Sequence, residues 1–481
     1  MARSASGVRT TTWSIAGASA AAASAGRAPS CTARPWKASG QPAGRSPTKR
    51  IECTPGSPDS SSTAPRPSWK RRTSPASRTG STPRRSVYAA VASSRSATPI
   101  WTLSSSMPRL YHILHPKAEG CEGRRVFSFA LSEEERLIQE TARRFAHDRL
   151  RPGLRAHERA RGVPGALVAE FGALGLDAVD VPAGAGGQGL GAFAKCLVLE
   201  ELAAVDPGAA VALDGAGLAL PTLAEGGLEA LIGELRREPG RRGVVIEDVE
   251  ERLGVRDGQL AGEHPWVAAD AVAVAVVFHA AQAFVVREGF GLTPIAACGL
   301  EAAGAARLVF AHAPIAATLE EPHALARARA RTRTSVAALL VGAARGAHQY
   351  AMRYATERTA FGRPIAHHQA LAFLIADLAT AVDVARLAVW RAAAALDRGE
   401  RAEWEAASAL AEAAEQALFV GPNAVQILGG HGFMKDHPVE KWMRDIRTLA
   451  QMAGGRDEAE LAAAALAPER DVGFAHGLDD P

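Results

Sequence analysis

From Ser132 onward the apolar positions fall into three successive periods. In "LSEEERLIQETARRFAHDRLRP", Leu137, Ile138, Ala142, Phe145 and Leu150 keep helical spacing behind Ser132 and Glu135, a capping-box pair, and Pro152 is read as the stop. Helical patterns recur at residues 165–176 and 192–206, separated by the Gly-rich "PAGAGGQGLG". That turn lacks a GK[ST] ending and a preceding strand, so it reads as a loop rather than a phosphate cradle. Between about 243 and 318 the period shifts to two, in "AVAVAVVF", "AFVVREGFGLTPI" and "ARLVFAHAPI" with Asp-Gly and other Gly turns between them, which predicts a short antiparallel sheet of little more than minimal size. From Thr332 long helices return: Val336, Leu339, Leu340, Ala343, Ala347, Tyr350 and Tyr354 in one, Leu371, Ile375, Leu378, Val382, Ala385, Val389 and Leu396 in the next, then Ala402 to Val420. Ala at so many contact positions predicts a close antiparallel bundle. The fold class is mainly α with a small β domain, divided as a helical domain at 126–242, the β domain at 243–320, a four-helix-type bundle at 321–468 and a tail at 469–481.

The chain before this changes the picture of charge. Residues 1–106 hold 16 Lys and Arg against Glu52 and Asp59, a net of +14, so the remainder carries −10 within the overall +4. The leader is rich in Ser, Pro and Arg and poor in spaced apolar residues, so residues 1–125 read as a disordered basic extension. A targeting peptide and a nucleic-acid arm are the two functional readings of such a leader. Its great length, and the lack of amphipathic pattern or aromatic interleaving, weigh against both. An upstream start, with Met107 or Val126 nearer the true beginning, accounts for it more simply.

Cys31, Cys53, Cys121, Cys196 and Cys298 are scattered without CxxC spacing, so neither a disulfide framework nor a metal site is expected, and a reducing cytoplasm fits. The longest apolar stretch, 266–286, is broken by Asp270, His279 and Gln282 and alternates Val with Ala, as a strand does and a membrane span does not.

Two motifs remain, "ERTAFGRPIAHHQALAFLIADL" at 357–378 and "QILGGHGFMKDHPVEKWMRD" at 426–445. With Arg358, Phe361-Gly362, His368-Gln369 and Gln426 to Gly430 in register, and with the order helices, β domain, bundle, the chain over roughly 128–467 resembles the acyl-CoA dehydrogenase family. The resemblance implies removal of a proton from the carbon beside an acyl-CoA thioester while the next carbon gives hydride to FAD. A carbon acid so weak needs a positioned carboxylate base and donors to the thioester oxygen.

The same resemblance places that base in a Glu-Gly-Thr triplet nine residues after the Arg of the "RD" pair, which here is Ala453-Gly454-Gly455 after Arg444. Its alternative place, 29 residues before the Phe of "FG", is Thr332. Neither is a carboxylate, so no catalytic residue is identified. Asp457, Glu458 and Glu460 downstream read as surface acids.

The resemblance implies that each FAD is shared between subunits. For the half on the bundle, the resemblance implies Arg358 on the pyrophosphate as a planar fork, Phe361, His368 and Gln369 lining the cofactor, and Gln426, Gly429 and Gly430 approaching by backbone. Each has an ordinary alternative: Arg358 an ion pair with Glu357, the glycines a helix cap, His368 and Gln369 polar residues at a helix start. For the ring half, Trp266 is kept, Ala268 replaces the Thr of a Trp-Ile-Thr strand, and nothing resembles the Thr-Glu-Pro and Gly-Ser-Asp signatures beyond Glu238-Pro239. The resulting expectation is a subunit without its own base that completes the FAD site of a related partner chain. The alternatives are a self-sufficient enzyme with a displaced base and a non-redox acyl-CoA-binding homologue. An acyl-CoA thioester and an electron-transferring flavoprotein are the partners the family implies, with neither nucleic acid nor membrane among them.

Overall fold

The structure, a computed structural model, describes residues 130–237 and 242–467. The extension called over 1–125, the tail called over 469–481 and the Glu238-Pro239 pair lie outside the described residues.

The first helix, α1 (Glu133–Phe145), begins with the capping box its sequence announced: Ser132 Oγ accepts from Glu135 N–H at 3.1 Å, and Glu135 Oε2 accepts from Ser132 N–H at 2.7 Å. Pro152 does not end the helical path. α1 loosens into a wide turn at Ala146–Leu150 and a 3₁₀ turn at Arg151–Gly153, then continues as α2 (Leu154–Ala160). Proline is tolerated because it stands in the first turn of a new segment, where its missing N–H has no partner to lose. α3 (Gly165–Ala173), α4 (Gly191–Ala203), α5 (Pro207–Leu213), α6 (Leu220–Glu225) and α7 (Glu229–Arg237) complete this region.

α4 is buried almost all round, including Lys195, Glu200 and Glu201. Burying those charges is tolerated because each is met: Lys195 by Asp214 at 2.7 Å, Glu201 by Arg143 at 3.0 Å and Arg345 at 2.9 Å, Glu200 by Arg386 at 2.8 Å.

The middle of the chain is a mixed sheet of seven strands, larger than the minimal antiparallel one expected. It comprises β1 (Arg242–Glu247), β2 (Leu253–Arg256), β3 (Gln259–Val267), β4 (Val272–His279), β5 (Gln282–Val286), β6 (Phe290–Pro294) and β7 (Ala306–Leu319), in the order β1-β4-β5-β7-β3-β2 with β6 also on β7. β1 runs parallel to β4, with Ile246 opposite Val277, and the other pairs are antiparallel. Two causes enlarge it. β7 is 14 residues long, so β5 pairs with one end of it and β3 and β6 with the other. β1 then joins the far edge, leaving β4 buried between neighbours, consistent with its unbroken Val-Ala run.

The bundle is built on α8 (Pro322–Glu357), 36 residues long, followed by a tight hairpin (β8, Thr359–Ala360; β9, Arg363–Pro364), α9 (Gln369–Asp397), α10 (Glu403–Leu428), α11 (Val439–Leu449) and α12 (Gly455–Leu466). α8 approaches α4 closely through Gly342, where a Cβ would stand 2.9 Å from the Ala203 methyl. Most of the "VEKWMRD" stretch is scaffold. Lys441, 1% exposed, reaches Asp206 at 2.7 Å and Asp445 at 2.5 Å, and Asp445 also accepts from Leu300 N–H at 2.7 Å. Arg444 pairs with Glu440 at 2.8 Å and with Glu158, tying α11 to α2. No single helix among the described residues is long and apolar enough to cross a membrane.

Candidate functional site

β1, the end of β3, the α5–α6 connection and the turn before α12 enclose a cavity of about 200 Å³. Each contributor is placed by the local fold. β3 delivers Trp266, and Val267-Ala268 follow it on the wall; α8 delivers Leu339; the 3₁₀ turn Met452–Gly454 delivers Ala453. That turn is sharply bent, with Ala453 at φ 55° and Gly454 and Gly455 at φ 88° and 80°. Two glycines relieve the left-handed conformation, whereas Ala453 bears it at a cost of about 1–2 kcal/mol. The structure thus brings Ala453 and Trp266 to one cavity. Thr332 is not on its wall: it is fully buried, and its hydroxyl donates within reach of Ala328 O at 3.0 Å and Leu218 O at 3.3 Å.

Four carboxylates line this cavity, and all are engaged. Asp214 holds Lys195; Asp248 accepts from Arg252 N–H at 2.9 Å and Leu253 N–H at 3.1 Å and meets His279 Nδ1 at 2.9 Å; Glu250 pairs with Arg252. Glu247 accepts from Arg329 Nε at 3.0 Å. Burial pushes the Glu247 carboxyl above its ordinary range, and the charge of Arg329 opposes that rise. Its Cγ lies 3.7 Å from where a Cβ on Gly454 would stand, so Glu247 backs the Ala453 turn. Downstream, Asp457 is exposed, Glu460 pairs with Arg456 at 2.6 Å, and Glu458 turns toward Arg333 at 3.9 Å.

The second set of residues sits at the far end of α8 and faces outward. Arg358 is exposed, and no ion pair to Glu357 forms among the described residues. Phe361 is 96% exposed at φ 53°, on the β8–β9 hairpin. His368 folds back, its Nε2 donating to Ala360 O at 3.2 Å and its ring edge-on to Phe361, while Gln369 opens α9 exposed. Gln426 is exposed near the end of α10. Gly429 is that helix's C-cap at φ 59°, so the cap reading holds for it, and a Cβ on either Gly429 or Gly430 would meet nothing within 4 Å.

One link joins the two motifs. Tyr354, whose carbonyl accepts from Arg358 N–H at 2.8 Å, has its hydroxyl 2.7 Å from His431 Nδ1 in the turn after Gly430. His437 stacks on His431 with ring centroids 5.6 Å apart and is held by Tyr350 at 2.8 Å.

Comparison with known proteins now decides the family. The N-terminal domain of acyl-CoA dehydrogenases matches residues 132–234 and their C-terminal domain matches residues 323–466. A probable acyl-CoA dehydrogenase of Mycobacterium leprae is 30% identical over 380 residues, 71% of this chain and 97% of that protein.

The chain belongs to the acyl-CoA dehydrogenase family.

Solved folds agree. Butyryl-CoA dehydrogenase from Megasphaera elsdenii superposes with a TM-score of 0.64 at 23% identity, covering 72% of this chain and 100% of that one. A glutaryl-CoA dehydrogenase from Mycobacterium smegmatis, solved in complex with FADH2, gives 0.61 at 19% identity over 71% of this chain and 96% of that one.

Against what the acyl-CoA dehydrogenase resemblance implied, the two halves differ. The exposed donors at Arg358, Gln369 and Gln426, and the open backbone at Gly430, suit an acceptor-rich group approaching from outside the protomer. The cavity wall sets Trp266 and apolar Ile246 and Ala268 beside polar Arg242, His264 and Gln451. Two features escaped the sequence reading. Ile246-Glu247-Asp248 form cavity wall at the end of β1, and their signal was a Glu ending a period-two run just before a turn. The Tyr354–His431 pairing carries no sequence signal, because it spans 77 residues.

Proposed function

We propose that this chain is a subunit of an FAD-dependent acyl-CoA dehydrogenase that completes a partner chain's FAD site and lacks a catalytic base of its own. The observation that carries it is the cavity: Ala453 stands where the family resemblance requires a carboxylate, and each of the four carboxylates on the wall is already bonded to a cation or to main-chain N–H groups. FAD, when bound, takes hydride from the acyl chain. Arg358 would hold its pyrophosphate through a planar fork, with Gln369, Gln426 and the Gly429-Gly430 backbone beside it. The Ala453 N–H remains a donor for the thioester oxygen, since that role needs no side chain. A partner chain of the same family supplies the Glu and the ring contacts, an electron-transferring flavoprotein receives the electrons, and the assembly is cytoplasmic. Purification of the chain alone and co-expressed with acyl-CoA dehydrogenase-like partners tests this: flavin and acyl-CoA oxidation should appear only with a partner.

A second reading, a self-sufficient enzyme with a displaced base, rests on Glu247, buried and beside Gly454 with a raised carboxyl. Its pairing with Arg329 weighs against that role. It requires a yellow, active homo-oligomer that loses turnover, but not flavin, on Glu247→Gln.

A further inference from the structure

The ends of α1 and α4, the middle of α8 and the segment leading into α11 surround a second cavity, of about 680 Å³, that shares no residue with the one at Ala453. This is within the span of small-molecule sites, roughly 300–1,000 Å³. Its wall has a surplus of hydrogen-bond donors. Arg151, Arg353 and Lys435 are exposed at its rim, and among the described residues none of the three has a side-chain partner. Arg143, half-exposed, and Arg345, largely buried, converge on one carboxylate, Glu201, at 3.0 and 2.9 Å. Trp442, 6% exposed, lines the hollow, with its indole Nε1 itself buried. Arg, Lys and Trp side chains can only donate, and Asp436 is the one acid on the wall besides Glu201. The imidazole of His147, also on the wall, is pushed below its ordinary range, first by burial and then by Arg151.

Three unpartnered cations around one hollow repel one another. An anionic, acceptor-rich ligand removes that penalty. A single carboxylate is too small for a hollow of this size and for cations on three different elements. Guanidinium forks match phosphate oxygens, and Tyr350 and Trp442 add ring surface on the wall. We propose that this cavity binds a small molecule carrying a di- or triphosphate, of nucleoside diphosphate size, through Arg151, Arg353 and Lys435. It is a site separate from the cavity at Ala453 and from the Arg358 group.

Calorimetric titration of the full chain at low salt with ADP, inorganic pyrophosphate and adenosine tests this without any turnover. ADP and pyrophosphate should bind saturably and adenosine should not, with affinity falling as salt rises. Arg151→Glu combined with Arg353→Glu removes two charge-assisted contacts and should weaken ADP by at least roughly tenfold, while Arg256→Ala, exposed on β2 and on the wall of neither cavity, leaves it unchanged. Lys435→Ala, at an exposed loop position, should weaken it too, and serves if the double variant fails to fold. Absence of saturable binding by both phosphates would overturn the proposal. So would adenosine binding as well as ADP, or ADP affinity that survives the rim variants.

Discussion

Replacing Arg358 by Ala separates the partner-site role from scaffold most cleanly. The backbone there is pinned on both sides: its N–H donates to Tyr354 O and its carbonyl accepts from Ile365 N–H, both at 2.8 Å. The side chain is exposed and has no partner among the described residues, so its removal should change stability by less than about 0.5 kcal/mol. In the proposed complex the same truncation would remove a charged hydrogen bond to the FAD pyrophosphate. Such a bond contributes about 1.5–3 kcal/mol, which weakens FAD roughly 10- to 150-fold. Fluorescence titration of the apo-complex with FAD, alongside thermal melting of the isolated chain, measures both. Arg358→Lys should recover part of the affinity, since it keeps the charge and loses the fork. Unchanged FAD affinity in a complex that binds FAD would refute the reasoning, as would a melting temperature that falls in step with the affinity.

Ala453→Glu in the isolated chain should stay colourless and inert, whereas a gain of roughly 10²- to 10⁴-fold in acyl-CoA oxidation would show that the base was the one missing part. Lys441→Met leaves Asp206 and Asp445 buried without their cation and should destabilise by about 3–5 kcal/mol, read from denaturant midpoints. Glu247 is held above its ordinary range. The stability contributed by its titration is therefore full below the unfolded carboxyl pKa and falls as pH rises through the folded one. Glu247→Gln, which cannot titrate, should accordingly look less harmful relative to wild type at pH 7 than at pH 4, and an opposite trend in paired denaturation curves would contradict the shift. Tyr354→Phe removes the bond to His431 and should cost about 0.5–1.5 kcal/mol, visible as faster hydrogen exchange in the turn after Gly430.

Legibility followed the range of the interaction. Ser132 and Glu135 are three residues apart, and the box they promised is formed in full. The long helices and the switch to period two were equally local, so the layout of helices, sheet and bundle could be read from pattern. The parallel β1–β4 pair could not, because it joins strands with β2 and β3 between them and depends on which edge of β4 is free. Pro152 misled for a related reason: a proline marks a local backbone restriction but does not say whether another helical turn starts there. At the site, the loss of a carboxylate at Ala453 was visible as a single letter. That no wall carboxylate is left free depends on Lys195, Arg329 and His279, from three separate elements, and no spacing rule connects them.

The central claim is that this chain holds half a flavin site and depends on another chain for the rest. The direct measurement is the FAD content and acyl-CoA-dependent flavin reduction of the purified full chain, alone and after co-expression with acyl-CoA dehydrogenase-like partners. The account predicts a colourless, inactive protein alone and a yellow, acyl-CoA-reducible complex with a partner, whose FAD affinity falls when Arg358 of this chain is changed. A yellow homo-oligomer of this chain that is reduced by acyl-CoA without any partner would contradict it.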